Sequence, residues 1–161
     1  MKVREVMTEP VVTCTPQTSL AVAARLMREA DYGTLPVIDA TGRLVGIITD
    51  RDVCLALAGT GRNAVNIAVR EVMTPKVVSA LLDDDVRRAL AMMKNHRVRR
   101  LPVRDGVGCL RGMLSIEDLV VRGLTGGGVD ANEIVDALRA MYVRLPVAVD
   151  VMPGPGEFTP G

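Results

Sequence analysis

Residues 3–53 return as residues 69–119 at a constant offset of 66 with no gap, and 18 of the 51 paired positions are identical. The block Val3-Arg4-Glu5-Val6-Met7-Thr8 recurs unchanged as Val69 to Thr74, and Leu35-Pro36-Val37 recurs as Leu101-Pro102-Val103. Glycines pair too, Gly42 with Gly108 and Gly46 with Gly112. Two copies of this length are not a solenoid, which stacks more and shorter repeats. They predict two similar halves packed about a pseudo-two-fold axis.

Each copy reads as a β-α-β-β-α unit, so the fold class is α+β. Val11-Val12 and Val77-Val78 read as short extended pieces. Leu20, Ala23, Ala24 and Met27 recur at i, i+3, i+4, i+7, the stripe of an amphipathic helix, and Val86, Ala89, Leu90 and Met93 repeat it. Asp83, Asp84 and Asp85 suit the positive end of that second helix. Leu35 to Ile38 reads as a strand, Asp39 to Gly42 as a hairpin turn, and Leu44 to Ile48 as the return strand. A shorter helix runs from Asp50 to Ala58 and stops at Gly59. The expected divisions are a first repeat over 1–60, a linker over 61–68 and a second repeat over 69–125. Asp130 and Glu133 make a capping signal for a further helix over 129–143, with Ile134, Val135, Leu138 and Met141 as its apolar face. The Pro/Gly-rich stretch 152–161 reads as a disordered tail.

Composition narrows the function. Twenty Lys+Arg against 19 Asp+Glu leave a net charge of +1, too little to attract a polyanion. Two Tyr, one Phe and no Trp give single-stranded nucleic acid almost nothing to stack on. Cys14, Cys54 and Cys109 form no CxxC, which predicts buried or idle thiols in a reducing compartment. With His96 as the one histidine, no zinc-ligand spacing and no nucleophile–base pairing appear, so the chain reads as a non-enzyme. MKVREVMTEP has no apolar stretch behind it, and no run of 18 apolar residues exists. The expectation is a cytoplasmic protein with no membrane partner.

Two motifs could carry binding. Gly46-Ile47-Ile48-Thr49-Asp50-Arg51-Asp52 and Gly112-Met113-Leu114-Ser115-Ile116-Glu117-Asp118 each open a helix after a strand glycine. Glycine there permits close approach of another group to the backbone. Thr/Ser-x-x-Asp is first of all a capping box, which satisfies free N–H groups by itself. The same geometry could offer N–H donors to a phosphate and a carboxylate to the two ribose hydroxyls. The second motif precedes each proline: Tyr32-Gly33-Thr34-Leu35-Pro36 in one copy, Val98-Arg99-Arg100-Leu101-Pro102 in the other. Several cations between 87 and 104 belong on a solvated helix face. Arg99 and Arg100 instead flank an inward-running strand, where guanidinium groups want carboxylate or phosphate partners.

This ordered set, found twice over about residues 1–125, resembles a tandem pair of cystathionine β-synthase (CBS) domains, the Bateman module. It is similar to the small stand-alone bacterial members, including the hypoxic-response type. The resemblance implies clefts between the halves that bind adenosine-containing ligands, and modules that pair into a disc-shaped homodimer. By position, Thr49 and Asp52 would hold phosphate and ribose in a first site, and Ser115 and Asp118 in a second. Thr13, Thr15 and Pro16 match the loop bordering the adenine, as does the segment Tyr32, Gly33, Thr34 to Pro36. In the second copy that loop begins at Ser79 and lacks the second Thr and the Pro, while Pro102 is kept. Arg99 and Arg100 replace residues that are often small in the family, and so either block the second site or reach a phosphate.

The leading expectation is a non-catalytic regulatory module with an adenine nucleotide (AMP, ADP or ATP class) as regulatory ligand, no required cofactor and an effector protein as reader. The alternatives are a ligand-free structural or protein-docking module, and a nucleic-acid-binding module using the basic stretch, which charge and missing aromatics disfavour. The short helices, with Val53, Leu55, Ala56, Leu57, Leu119, Val120 and Val121, are the candidate dimer surface.

Overall fold

A computed structural model describes residues 1–143; the expected tail over 152–161 lies outside them. The first repeat contains α1 (Leu20–Ala30), β1 (Thr34–Ile38), β2 (Leu44–Thr49) and α2 (Asp50–Thr60). The second contains β3 (Ala80–Leu81), α3 (Val86–His96), β4 (Arg100–Arg104), β5 (Leu110–Ser115) and α4 (Ile116–Asp118), which runs on as a π-helical turn over Leu119–Gly123. A last helix, α5 (Ala131–Tyr142), follows. β1 and β2 pair antiparallel, with Val37 opposite Gly46; β4 and β5 repeat this, with Val103 opposite Gly112. β3 adds a parallel edge to β4.

Several local expectations shift by a few residues. The first extended piece of each copy is not Val11-Val12 or Val77-Val78. It is Ala80–Leu81 in the second repeat and a single parallel bridge from Cys14 to Val37 in the first. The valines instead run alongside the clefts between the repeats. α2 passes through Gly59 and ends at Gly61, whose φ of +61° is the left-handed geometry of a helix C-cap. On α1, Leu20, Ala23 and Met27 are buried while Ala24 is exposed. On α5, capped by Asp130 and Glu133 as expected, Ala137 is buried and Val135 is 51% exposed. The helix packs on α3, with Ile134, Ala137, Leu138 and Met141 against the second repeat's core. Cys14 is buried but Cys54 is exposed.

The largest difference between sequence repeat and packed unit lies in the segments that lead into each copy. Val3, Val6 and Met7 are buried in the second repeat's core, with Ala80, Met93 and Leu114. Ile67, in the stretch read as a linker, and Val69 are buried in the first repeat's core, with Leu20, Leu35 and Ile48. The two lead arms have crossed over. Each is held by a reciprocal pair of backbone hydrogen bonds to a strand of the opposite repeat: Thr8 with Met113 (2.8 and 3.0 Å) and Thr74 with Ile47 (2.8 and 3.0 Å).

The strand glycines make the crossing possible. A Cβ on Gly112 would stand 2.6 Å from Met7 Sδ and 3.0 Å from the Thr8 carbonyl oxygen. On Gly46 it would stand 2.6 Å from Met73 Sδ and 3.3 Å from the Thr74 carbonyl oxygen. The group whose close approach these glycines permit is the crossed arm itself. The hairpin tips close the joint on the other side, with Leu44 N donating to Gly108 O (3.1 Å) and Leu110 N to Gly42 O (3.0 Å). The result is two β-α-β-β-α repeats about a pseudo-two-fold axis, with α5 laid on the second.

Gly112→Val and Gly46→Val should each destabilise the protein by about 1–3 kcal/mol through overpacking against a backbone carbonyl, read as a lower urea midpoint. Burial pushes the Cys14 thiol up to about 11, so at pH 8 it holds almost no thiolate. Alkylation of the native protein at pH 8 should therefore label exposed Cys54 well before Cys14, with Cys14 labelled only on unfolding.

Candidate functional site

The two strand-to-helix corners build the candidate site. At the end of β2, Thr49 Oγ1 accepts from Asp52 N (3.2 Å) and donates to Asp52 Oδ2 (2.7 Å), while Thr49 N also donates to Oδ2 (2.9 Å). Ser115 and Asp118 repeat the arrangement at 3.0, 2.6 and 2.8 Å. Both are complete capping boxes. Each hydroxyl has one proton, and each gives it to its own aspartate. The oxygens left over for recognition are the outer carboxylate oxygens, Oδ1 of Asp52 and of Asp118.

Each corner faces a cleft completed by the other repeat. The first cleft, about 450 Å³, sets Thr49, Asp52, Ile47 and Thr34 against Thr74, Lys76, Val77 and Val78 and against His96, Val98, Arg99 and Arg100. The second, about 230 Å³, sets Ser115, Asp118, Glu117, Met113 and Arg100 against Thr8, Pro10, Val11, Tyr32 and Thr34. Thr34 and Arg100, equivalent under the offset, line both. The first volume falls within the range usual for small-molecule sites and the second lies below it.

The electrostatics separate the clefts further. The first gathers Lys76, Arg99 and Arg100 against one carboxylate, Asp52. Among the described residues, no hydrogen bond reaches Asp52 Oδ1. In the second cleft, Thr8 Oγ1 donates to Asp118 Oδ1 (3.0 Å), and Arg122 Nη1 lies 3.7 Å from the same oxygen. Arg100 Nη2 lies 3.9 Å from Glu117 Oε1. Arg99 Nη1 donates to Tyr142 Oη on α5 (3.2 Å). The first cleft is cationic with an open carboxylate. The second is acid-balanced, and its carboxylate is already engaged.

The residues singled out from sequence divide differently in space. Thr49 and Asp52 share a cleft with Arg99 and Arg100 rather than with Tyr32, which stands with Thr34 beside Ser115 and Asp118. Arg99 thus lines the Asp52 cleft and not the Ser115 cleft, while Arg100 lines both. Thr13, Thr15 and Pro16 line neither: Thr15 N donates to Thr18 Oγ1 (3.0 Å), and the Pro16 carbonyl accepts from Arg70 N of the crossed arm (3.0 Å). Ser79 Oγ accepts from Arg104 Nε (2.9 Å). Pro36 and Pro102 are buried within β1 and β4, and Gly33 belongs to an outer groove beside Asp50. Sequence reasoning missed the cleft walls Thr8, Pro10 and Val11, their counterparts Thr74, Lys76, Val77 and Val78, and Arg122 beside Asp118. The unchanged block Val3–Thr8 was the signal, but nothing in it says which repeat it packs on.

Among the described residues, no group of three or more His, Cys, Asp or Glu side chains is placed to hold a metal ion, and no helix is long and apolar enough to cross a membrane. The CBS domain profile matches twice, over residues 3–59 and 69–123. The chain is 34% identical over 123 residues to the CBS domain-containing protein YhcV of Bacillus subtilis, covering 76% of this chain and 86% of that one. Among solved structures it resembles the CBS domain pair of MJ0100 in complex with 5′-methylthioadenosine and S-adenosyl-L-methionine, at 29% identity and TM-score 0.68, covering 80% of this chain and 98% of that one. It also resembles CBSX2 in complex with AMP, at 27% identity and TM-score 0.68, covering 78% and 98%. Two profile matches, a relative covered over most of its length and similar solved pairs agree with the duplication: the chain belongs to the CBS-domain family, as a tandem pair of CBS repeats.

Proposed function

We propose that the protein is a non-catalytic, cytoplasmic sensor of adenine nucleotides, which bind in the first cleft and alter how the two repeats pack for an effector protein to read. The observation that carries this reading is the composition of that cleft, with Lys76, Arg99 and Arg100 facing a single carboxylate whose outer oxygen is open. Asp52 Oδ1 is the acceptor for ribose hydroxyls. The Thr49 hydroxyl has spent its proton on Asp52, so the phosphates fall to the three cations. A phosphate would draw Arg99 from its neutral partner Tyr142, since charge-assisted hydrogen bonds are roughly twice as strong as neutral ones. The family likeness supports the adenosine part, because similar pairs hold AMP, S-adenosyl-L-methionine or 5′-methylthioadenosine. Such a ligand shifts the packing only through different contacts in the two arrangements.

The second cleft is the weaker site, for its smaller volume and its engaged Asp118. Self-association is proposed through the outward face of the second repeat's short helix, where Val120 is 42% and Val121 66% exposed; Leu55, also expected on the dimer surface, edges a separate hollow of the first repeat. Val53 and Leu119, expected on that surface too, are core residues.

Titration calorimetry should show affinity rising from adenosine to AMP to ATP, each new charge-assisted contact contributing about 1.5–3 kcal/mol. The Arg99→Ala, Arg100→Ala double variant should lose most of the preference for ATP over adenosine while keeping the dependence on Asp52. Asp52→Ala should weaken nucleotide binding far more than Asp118→Ala, and equal losses would overturn the assignment to the first cleft. Light scattering across micromolar concentrations should report twice the 17.2 kDa chain mass; a monomer throughout removes the proposed surface.

A further inference from the structure

The two halves differ behind their aspartates. In the second half, Arg122 Nη1 donates to the carbonyl oxygens of Val6 and Met7 (2.9 Å each) and lies 3.7 Å from Asp118 Oδ1. One guanidinium thereby ties the crossed arm to the helix that carries the recognition carboxylate. Under the 66-residue offset, Asp118 corresponds to Asp52, Val6 and Met7 to Val72 and Met73, and Arg122 to Ala56. The arms are placed equivalently, each paired through its threonine to the opposite repeat. Beside Ala56 opens a hollow of about 410 Å³, lined among others by Asp52, Val72, Leu55 and Ile67. Among the described residues, nothing donates a hydrogen bond to the Val72 or Met73 carbonyls or to Asp52 Oδ1. Arg62 and Glu71 also line the hollow, but the Arg62 guanidinium is already committed to Glu71 (2.9 Å) and to the Asn66 carbonyl (2.6 Å).

We propose that this hollow is a guanidinium site, filled by an arginine side chain of a partner protein. Its lining includes Asp52 and Val72, the counterparts of Asp118 and Val6, which the Arg122 guanidinium meets in the other half. A guanidinium is planar, permanently charged and weakly hydrated, which suits a partly apolar hollow better than an ammonium group does. The hollow is open to solvent and edged by Leu55, 57% exposed. That edge favours an arginine delivered from an apolar protein surface over a free small molecule, in keeping with the enrichment of arginine at interface centres. Asp52 lines both this hollow and the first cleft. Docking would therefore act on the carboxylate assigned to ribose, a coupling that rests on the nucleotide reading; the guanidinium site does not.

The test uses the full chain without nucleotide. Ethylguanidinium at millimolar concentration should raise the Tm saturably, and ethylammonium at equal ionic strength should not. Ala56→Arg supplies the group in cis; it should raise the Tm by itself and abolish the response. Ala56→Leu fills the hollow without charge and should abolish the response with no such gain, so the test survives if the arginine variant fails to fold. Arg122→Ala should lower the Tm and recover it with ethylguanidinium, because it opens the matching place in the second half. A blocked arginine peptide flanked by leucines should bind at least tenfold tighter than ethylguanidinium, and equal affinity would overturn the assignment to a protein partner. An absent wild-type response, one equalled by ethylammonium, or one unchanged in both Ala56 variants overturns the site itself. None of these readouts involves nucleotide, so failure of the nucleotide reading leaves them unaffected.

Discussion

Met7 against Gly112, and Met73 against Gly46, are the contacts on which the rest of the molecule depends. Each methionine rides on a short arm that leaves its own repeat and buries its apolar side chains in the other. Val3 and Val69 are fully buried there, and burying a valine is worth roughly 1.5–3 kcal/mol. Neither core is therefore complete without residues from the other half. The same arms continue into Thr8 to Val11 and Thr74 to Val78, the walls that close the two clefts. A cleft made in this way answers to any change in how the repeats sit, which is what a packing-based signal requires.

On this duplicated frame a handful of substitutions gives the halves different chemistry. Where the first copy has Pro10, Gly33 and Arg51, the second has Lys76, Arg99 and Glu117. Because each cleft draws on both copies, the cations introduced in the second copy charge the cleft of Asp52, while Glu117 neutralises the cleft of Asp118. The outer faces have diverged as well. Leu90 and Ile116 are buried beneath the side of the second repeat that carries α5, whereas their counterparts Ala24 and Asp50 are exposed. Apolar residues stand where a helix covers them and polar or small ones where water does.

Much of this could be read locally. The β1–β2 and β4–β5 hairpins, the α1 and α3 stripes and the α5 capping box depend on neighbours within a few residues, and periodicity or turn chemistry reports those directly. The misplaced first strand has the same kind of explanation in reverse. Ala80–Leu81 is a two-residue edge whose pairing with β4 is its main reason to be extended, while the valines before it look more strand-like and pack beside the clefts instead. Thr15 and Pro16 matched a motif by position, yet their backbone is committed to Thr18 and Arg70.

From the sequence alone came the duplication, the repeat unit, the two capped aspartates and the arginines worth questioning. These rest on covalent order and on interactions spanning one or two turns. Only the tertiary structure decided that the lead arms cross, that Asp52 faces Arg99 and Arg100 while Asp118 faces Tyr32, and that Arg122 latches one arm where Ala56 leaves a hollow beside the other. Identical arms carry identical local preferences, so Val3–Thr8 and Val69–Thr74 would suit either core equally well. Which core each one enters is settled by chain connectivity and by the burial available across the pseudo-two-fold joint, both properties of the assembled pair.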